Sequence, residues 1–327
     1  MKPIFLILFL ILQTQVLLSQ EPVALPDKEG TWAYAYLDDE NTKMYCRQFG
    51  MTANEINVFK NKLDEMVALL HQNPVMADPR GFDAAVESRP LYPHGFSKHP
   101  ENFSYIGEIN FRLPSWFNSK GKIYKQTIEP PRVTVYTNNI HILRHSAFNV
   151  AGHEGDDIKK AADRVNDVCR AMKIKDLAPG VILYDYAIVI TKPDRSLYLP
   201  CTVAEAYKRL ITYYELIVKK QPVFQVMLDG ILKEYNTIDP SALNGPAYFG
   251  GMFSGITPVK NDDPLYLFNT DFFDRSKPKT DVQTIIFPIN ADYFRKESDF
   301  APNSVGFKRI YQFHHSLDLA AIAKLID

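Results

Sequence analysis

The sequence predicts an α+β protein with largely antiparallel sheets and four to five helices, behind an N-terminal signal segment that is cleaved. Three observations carry this prediction. Capping-box patterns begin apolar helical stripes at Thr52 and Thr202. Alternating apolar and polar residues, separated by Pro and Gly, fill residues 82–145. No βαβ unit with a glycine-rich first turn is recognisable, which disfavours a parallel nucleotide-binding sheet.

The first 19 residues have the pattern of a secretory signal peptide. Lys2 precedes an apolar run over residues 4–12, and Ser19 offers a small residue before a polar start. A membrane anchor is the alternative, but a spanning helix needs about 20 predominantly apolar residues, and the polar residues 13–15 interrupt the run. We therefore expect cleavage after Ser19 and a soluble chain that is secreted or periplasmic.

The charge of the chain is nearly balanced. It carries 37 Lys and Arg against 38 Asp and Glu, a formal net charge of −1 at pH 7. No basic block is present that would attract nucleic acid or an anionic membrane surface. The composition therefore predicts no nucleic-acid partner, no stable membrane insertion after signal cleavage and no cofactor. We expect the partner to be a protein or a small-molecule ligand whose identity the sequence does not give.

Three cysteines, Cys46, Cys169 and Cys201, are an odd number for an exported protein. One disulfide with one free thiol and no disulfide at all both fit this count. No pair has the C-x-x-C spacing of a zinc knuckle or a redox site. Cys201 precedes the helix cap at Thr202, where a helix N-terminus lowers a thiol pKa and makes a nucleophile, but a hydrophobic staple is the favoured interpretation.

The first predicted helix spans about residues 53–72. Thr52 and Glu55 form its capping box, and apolar residues then recur at steps of three and four on one face. Asn73, which precedes Pro74, ends the helix. A meander of strands is predicted to follow, at residues 82–87, 105–113, 122–128, 132–137 and 140–145.

The pattern shifts from strands to helices near residue 150. We predict a boundary there between regions 20–150 and 151–327, which together form two domains or one continuous domain. Asp185 interrupts a long apolar strand over residues 181–191, and a short strand at 197–200 is predicted to complete a hairpin with it. The predicted helices span residues 156–172, 202–219, 222–235 and 316–326, the last capped by Ser316.

One internal repeat lies near the C-terminus. The motifs that begin at Asn269 and Asn290 share the pattern Asn-x-Asp-aromatic-Phe. We expect each Asn or Asp side chain to bond to its own backbone and the aromatic side chains to pack into the core. Calcium binding is the alternative, but each motif offers only two side chains toward the roughly six to eight oxygens that calcium requires.

The candidate metal ligands are His141, His145 and His153, with Glu154 beside the last. On a strand, His141 and His145 project from one face but lie about 13 Å apart, too far to share an ion. On a helix the same spacing would bring them together. Because the surrounding residues are more typical of a strand, surface and turn histidines are the favoured interpretation.

Two other segments have catalytic features. Asp185 and Glu108 could form the carboxylate pair that glycoside hydrolysis uses, although the sequence does not set their separation. An Asp that faces solvent or pairs with Arg is the commoner outcome. Residues 250–255 contain Ser254, but Met252 stands where a nucleophile elbow requires glycine.

These patterns support three functional hypotheses. The leading one is an exported, non-catalytic protein that binds a partner or ligand through aromatic-rich loops. The first alternative is an exported hydrolase that uses Asp185 and Glu108. The second is a metal-dependent enzyme with His141, His145 and His153 as ligands. No complete catalytic, metal or nucleotide motif decides among them.

Overall fold

The computed structural model describes residues 22–48, 50–91, 103–126, 128–152, 155–170 and 173–327. The predicted signal segment and His153 lie outside the described residues. The chain divides into two compact units whose segments alternate along the sequence. The first unit comprises Met1–Tyr92, Gly107–Tyr136 and Phe287–Leu325, and the second comprises Pro93–Ile106, Thr137–Ile286 and Ile326–Asp327.

The described residues form eight α-helices, so the prediction of four to five was too low. The helices are α1 (Glu40–Gln48), α2 (Ala53–His71), α3 (Pro74–Ala77), α4 (Asp156–Asn166), α5 (Val203–Val218), α6 (Gln225–Asn236), α7 (Val305–His315) and α8 (Leu319–Ala323). The sequence pattern missed α1, α3 and α7. The first two are too short for an apolar stripe to emerge, and α7 carries Gly306, a poor helix former, in its first turn.

Strands of two to seven residues occupy much of the remaining described chain. They are β1 (Val23–Ala24), β2 (Trp32–Tyr36), β3 (Ala84–Pro90), β4 (Gly107–Arg112), β5 (Trp116–Ser119), β6 (Lys122–Lys125), β7 (Arg132–Thr137), β8 (Val168–Arg170), β9 (Lys173–Ala178), β10 (Val181–Tyr184), β11 (Ala187–Thr191), β12 (Tyr198–Pro200), β13 (Tyr248–Phe249), β14 (Ile256–Thr257), β15 (Leu265–Phe268) and β16 (Thr284–Pro288). The mixture of helices and sheets confirms the predicted mixed class.

In the first unit, β2, β3, β4 and β7 lie side by side in that order. β3 and β4 are antiparallel, whereas β2 runs parallel to β3, with Trp32 opposite Ala84. A second sheet joins β1, β5 and β6 in antiparallel pairs. Among the strand pairs whose register is described, β2 with β3 is the parallel exception to an antiparallel pattern.

Helix α2 confirms the strongest local prediction. The Thr52 hydroxyl accepts a hydrogen bond from the Glu55 N–H, and the Glu55 carboxylate accepts one from the Thr52 N–H. The helix buries Phe59, Leu63 and Leu70 in the core of the first unit. Burying each side chain of this size contributes roughly 1.5–3 kcal/mol. The capping box determines where this helix begins, and the apolar face determines which side packs against the core.

In the second unit, the predicted long strand over residues 181–191 is a hairpin. β10 and β11 pair antiparallel, and the chain turns at Asp185 between them. β12 does not complete a hairpin with β11, as the sequence suggested, but pairs with β15, where Tyr198 lies opposite Phe268. Both strand predictions were therefore wrong. The turn at Asp185 contains neither Gly nor Pro to signal the break, and the partner of β12 is too distant in sequence to leave a local signal.

The helices of the second unit surround a shared core. α5 begins where predicted, with the Thr202 hydroxyl accepting from the Glu205 N–H. α4 ends at Asn166 rather than near residue 172, because the next residues enter β8 and pair with β15. Buried residues from α4, α5 and α6, including Val165, Leu210 and Ile231, form this core.

The N-cap of the C-terminal helix is not the predicted residue Ser316. Ser316 is the residue that ends α7, and Asp318 caps α8 by accepting a hydrogen bond from the Ala321 N–H. No helix in the described part of the chain is long and apolar enough to cross a membrane. These short terminal helices belong to the first unit.

The Asn-x-Asp-aromatic-Phe repeat forms two Asx turns. Asn269 Oδ1 accepts from the N–H of Asp271 at 3.1 Å, and Asn290 Oδ1 accepts from the N–H of Asp292 at 3.0 Å. Both backbone bonds confirm the structural prediction. The prediction that the aromatic side chains pack into the core is confirmed for the first motif, in which Phe272 and Phe273 are buried. It is wrong for the second motif, in which Phe294 is exposed.

Candidate functional site

Of the predicted metal ligands, His141 and His145 do not lie on a strand. Residues Ile140–Leu143 form a 3-10 turn, because Asn138 adopts a positive φ of 58° directly after β7 and reverses the chain. His141 is buried in this turn. His145 lies outside it, and its ring contacts Tyr186 at 3.8 Å between centroids. No group of three His, Cys, Asp or Glu suited to a metal ion occurs in the described residues.

The two candidate carboxylates occupy different units of the chain. Glu108, in the first unit, is part of an ion pair: its Oε1 accepts from Arg89 Nη2 at 3.0 Å and from Asn110 Nδ2 at 2.6 Å. Asp185, in the second unit, is exposed at the β10–β11 turn. Burial lowers the pKa of His145, and the charge of Asp185 offsets only part of that effect. The charge of Asp185 therefore acts on the His145 imidazole of its own unit.

Cys201 is buried rather than available at the start of α5. It is 1% exposed, and burial raises the pKa of its thiol to about 12. Its Sγ–H donates to the carbonyl of Thr202. Cys46 and Cys169 are also buried, and all three cysteines are free thiols. A protonated, inaccessible thiol is typical of core packing, not of a nucleophile.

The glycine-rich segment around Ser254 is held by Glu234. The Glu234 carboxylate accepts from the N–H groups of Phe253 and Ser254, at 2.8 and 2.9 Å. Ser254 Oγ is itself buried and hydrogen-bonded to Tyr207 at 2.9 Å. The serine hydroxyl thus stabilises the loop through its hydrogen bonds.

A pocket of the first unit combines apolar walls with polar side chains and a buried imidazole. Its volume is about 430 Å³, within the range typical of small-molecule sites. β7, α7 and the segments around residues 130 and 290 supply its walls. The lining residues are Glu129, Pro130, Pro131, Arg132, Val133, Thr134, Tyr136, Pro288, Ile289, Asn290, Asp292, Phe307, Ile310 and His314.

Strand β7 forms one wall through its alternation. Val133 and Val135 are buried in the core, so the alternate side chains, Arg132, Thr134 and Tyr136, share the face that lines the pocket. Thr134 Oγ1 donates to Asn110 Oδ1 at 2.8 Å. Burial raises the pKa of Tyr136, with a further contribution from the charge of Glu108, so the phenol stays protonated at neutral pH.

Helix α7 forms the opposite wall. Phe307, Ile310 and His314 are spaced by three and four residues and therefore share one helical face. Gly306 lets this helix approach the strand, because a Cβ there would lie 2.5 Å from Pro131 Cγ. Phe307, which lines the pocket, is 50% exposed.

His314 is the most unusual residue of the pocket. It is 7% exposed, and its Nε2 is buried without a hydrogen-bond partner among the described residues. Burial lowers its pKa to about 4, with a smaller contribution from His315, so the imidazole is neutral at pH 7. Its ring packs edge-on against Phe313 and Tyr293, at centroid distances of 5.6 and 6.2 Å.

The pocket offers one cation for an anionic group. Arg132 forms no ion pair with any acid in the described chain, whereas the nearby Asp292 is paired with Arg295 at 2.8 Å. Glu129 also lines the rim and is exposed. Apolar walls, a guanidinium and a neutral imidazole together suit a ligand with an apolar body and an acidic end.

Sequence reasoning missed this site, although one signal was present. The alternation of Arg132, Thr134 and Tyr136 was visible in a correctly predicted strand, but nothing indicated which face would line a cavity. No protein-family model, curated protein or solved structure matches this sequence. We therefore infer a function from the geometry of the described residues.

Proposed function

We propose that this chain is an exported, non-catalytic protein that binds a small amphipathic carboxylate in the pocket between β7 and α7. The observation that carries the proposal is His314, a buried neutral imidazole whose Nε2 finds no partner among the described residues, at the wall of a mixed polar and apolar cavity. A buried polar group left unsatisfied costs about 1–3 kcal/mol. A ligand that supplies the missing partner regains that free energy on binding.

The remaining lining residues support a binding role rather than catalysis. The aliphatic hydroxyl of β7 that lines the pocket, on Thr134, already donates to Asn110. His314 has no carboxylate partner in the described chain that would orient it as a general base. Arg132 is available for a carboxylate, and Phe307 and Ile310 are available for an apolar body. The residues suit recognition, with no assembled acid–base pair.

The proposal includes export because of the first 19 residues. Their single positive charge, apolar run and terminal Ser19 favour a removable signal over an anchor. N-terminal sequencing of the mature protein tests this part: we expect a chain that begins at Gln20. Membrane-bound protein that retains Met1 would contradict it.

The alternatives draw less support from these contacts. A hydrolase with Asp185 and Glu108 would need two carboxylates at one centre, yet Glu108 is neutralised by Arg89. A metal enzyme with His141, His145 and His153 gains no support from the described residues, where His141 is buried in a turn and the His145 ring packs against Tyr186. Neither is our proposal.

Ligand-observed NMR tests the proposed function. The probes are 3-phenylpropionate, hexanoate and uncharged 3-phenylpropanol, added to the full-length protein, and we expect saturable binding of at least one carboxylate but weaker binding of the alcohol. Arg132→Gln should weaken carboxylate binding about tenfold, because a charged hydrogen bond contributes roughly 1.5–3 kcal/mol. Arg47→Gln, on the exposed face of α1, is the matched control and should bind as the wild type does. Equal binding by Arg132→Gln, or no saturable binding of either acid, would overturn the proposal.

A further inference from the structure

A second concave site lies in the other unit, between α4 and α5. The groove has a volume of about 600 Å³. The side chains of each wall are spaced by three and four residues, so each helix presents one continuous face to the groove. The α4 wall consists of Asp157, Lys160, Ala161 and Arg164, and the α5 wall consists of Glu205, Lys208, Arg209, Thr212 and Leu216.

The groove is positively charged in a chain that is almost neutral. Four basic and two acidic side chains line it, a net charge of +2, whereas the whole chain carries −1. A concave surface with one dominant sign of charge concentrates the field and attracts counter-ions more strongly than a convex one. The charge of this groove is therefore a local feature that the overall composition conceals.

One of the basic side chains is already engaged. Arg209 Nε donates to Glu205 Oε1 at 2.8 Å, and its Nη1 donates to the carbonyl of Arg164 at 2.8 Å. This double contact fixes the Arg209 guanidinium and uses the charge of Glu205. The acid of the α5 wall is consequently not available to the other cations.

The other three cations have no acid within ion-pair distance in the described residues. They are Lys160, Arg164 and Lys208. Lys160 and Arg164 lie one turn apart on α4, a like-charge spacing that destabilises a helix by about 0.2–0.5 kcal/mol. Lys208 adds a third positive charge from the opposite wall. All three side chains are exposed, so water screens part of their repulsion, but they line the same concavity.

We propose that this groove binds a compact polyvalent oxyanion, a small molecule with several phosphate or carboxylate groups. The Arg164 guanidinium can form two parallel hydrogen bonds to such a group, and the two lysines act as mobile point charges. The Thr212 hydroxyl adds a neutral donor. Ala161 and Leu216 are the apolar residues of the lining. This site is independent of the pocket in the first unit.

Thermal unfolding of the full-length protein in different sodium salts tests the proposal. Tripolyphosphate and citrate are the two probes, each compared with chloride at matched ionic strength. We expect the unfolding midpoint to rise by about 5 °C when the probe exceeds its Kd about 100-fold. If both probes raise the midpoint, the groove recognises oxyanions of either kind. If only tripolyphosphate raises it, the groove selects phosphates, and if only citrate raises it, the groove selects carboxylates.

Charge-removing variants locate the effect. Lys160→Gln, Arg164→Gln and Lys208→Gln combined should raise the midpoint in chloride by relieving repulsion and abolish the response to both probes. Lys219→Gln with Lys220→Gln, at the exposed end of α5, is the matched control and should respond as the wild type does. If the triple variant does not fold, Arg164→Gln alone should weaken calorimetric binding of the responding probe about tenfold. An unchanged midpoint with both probes, or an equal response in the charge-removing variant, would overturn the proposal.

Discussion

Asn138 Oδ1 accepts a 2.8 Å hydrogen bond from the backbone N–H of Gln283, 145 residues further along the chain. The same oxygen accepts from the Thr284 N–H at 3.2 Å, and Nδ2 donates to the carbonyls of Tyr105 and Asp281 at 2.9 and 2.8 Å. Asn138 is 1% exposed and has a positive φ of 58°. One side chain therefore satisfies backbone groups from two segments of the second unit that are distant in sequence, at residue 105 and at residues 281–284.

Replacing Asn138 should be strongly destabilising. Asn138→Ala removes four hydrogen bonds in a buried site and adds strain at positive φ, so we expect a loss of about 3–5 kcal/mol in the free energy of unfolding. Asn138→Gly keeps the backbone conformation and should lose about 1 kcal/mol less. Urea denaturation measures both. Asn149→Gly, at an exposed residue with a φ of 47°, is the control and should stay within about 0.5 kcal/mol of the wild type; a similarly small effect of Asn138→Gly would contradict the account.

His314 predicts a pH dependence of stability. Its pKa falls from 6.5 to about 4 on folding, because burial disfavours the charged ring. Between these values the unfolded chain binds a proton that the folded chain does not, so stability falls as the pH falls through this window. The full effect is about 3 kcal/mol. Urea denaturation of the wild type and His314→Gln at pH 7.5 and pH 4 measures it: the difference between the two proteins should shrink by that amount, and parallel pH profiles would refute the assignment.

Glu234 should stabilise the loop around Ser254 in a pH-dependent way. Burial raises the pKa of this carboxyl, but hydrogen bonds from Ser254 and Phe253 lower it more, so its folded pKa lies below the ordinary value. The resulting stability is present at neutral pH and is lost as the pH falls through the folded pKa. Glu234→Gln should lose about 1–2 kcal/mol at pH 7. Thermal unfolding at pH 7 and pH 3 tests this: the gap between variant and wild type should narrow in acid, and a gap independent of pH would speak against the carboxylate.

The three thiols should be inert in the native protein. Cys46, Cys169 and Cys201 are buried, and burial raises the pKa of the last two to about 12. We expect Ellman's reagent to find no reactive thiol until the protein is unfolded, and then to find three. Rapid labelling of Cys201 in the folded protein would revive its interpretation as a nucleophile.

The elements that could be predicted from the sequence are those with a local sequence signal. The capping box at Thr52 and the apolar stripe after it predicted α2 to within a residue, because both act within one helical turn. The turn at Asp185 contains neither Gly nor Pro, and the strands on both sides are apolar, so the β10–β11 hairpin resembled one strand. The pairing of β12 with β15 involves residues about 70 positions apart, which no local pattern records.

The candidate site was harder to predict because its walls are distant in sequence. Arg132 and His314 line one pocket although 182 residues separate them. The sequence shows both residue types, but their roles depend on burial. His314 is distinctive only because tertiary packing lowers its pKa and leaves Nε2 without a partner in the described structure, and neither property follows from neighbouring residues.

The nitrogen resonances of His314 test the central claim most directly. In protein labelled with 15N-histidine, the account predicts that the best-binding carboxylate of the Arg132 experiments shifts the Nε2 resonance of His314, with saturation at the same Kd that ligand-observed NMR reports. His314→Gln assigns the resonance, and Arg132→Gln should move the titration to higher ligand concentration. A His314 resonance that stays unchanged while the carboxylate saturates the protein would place the ligand elsewhere and contradict the claim.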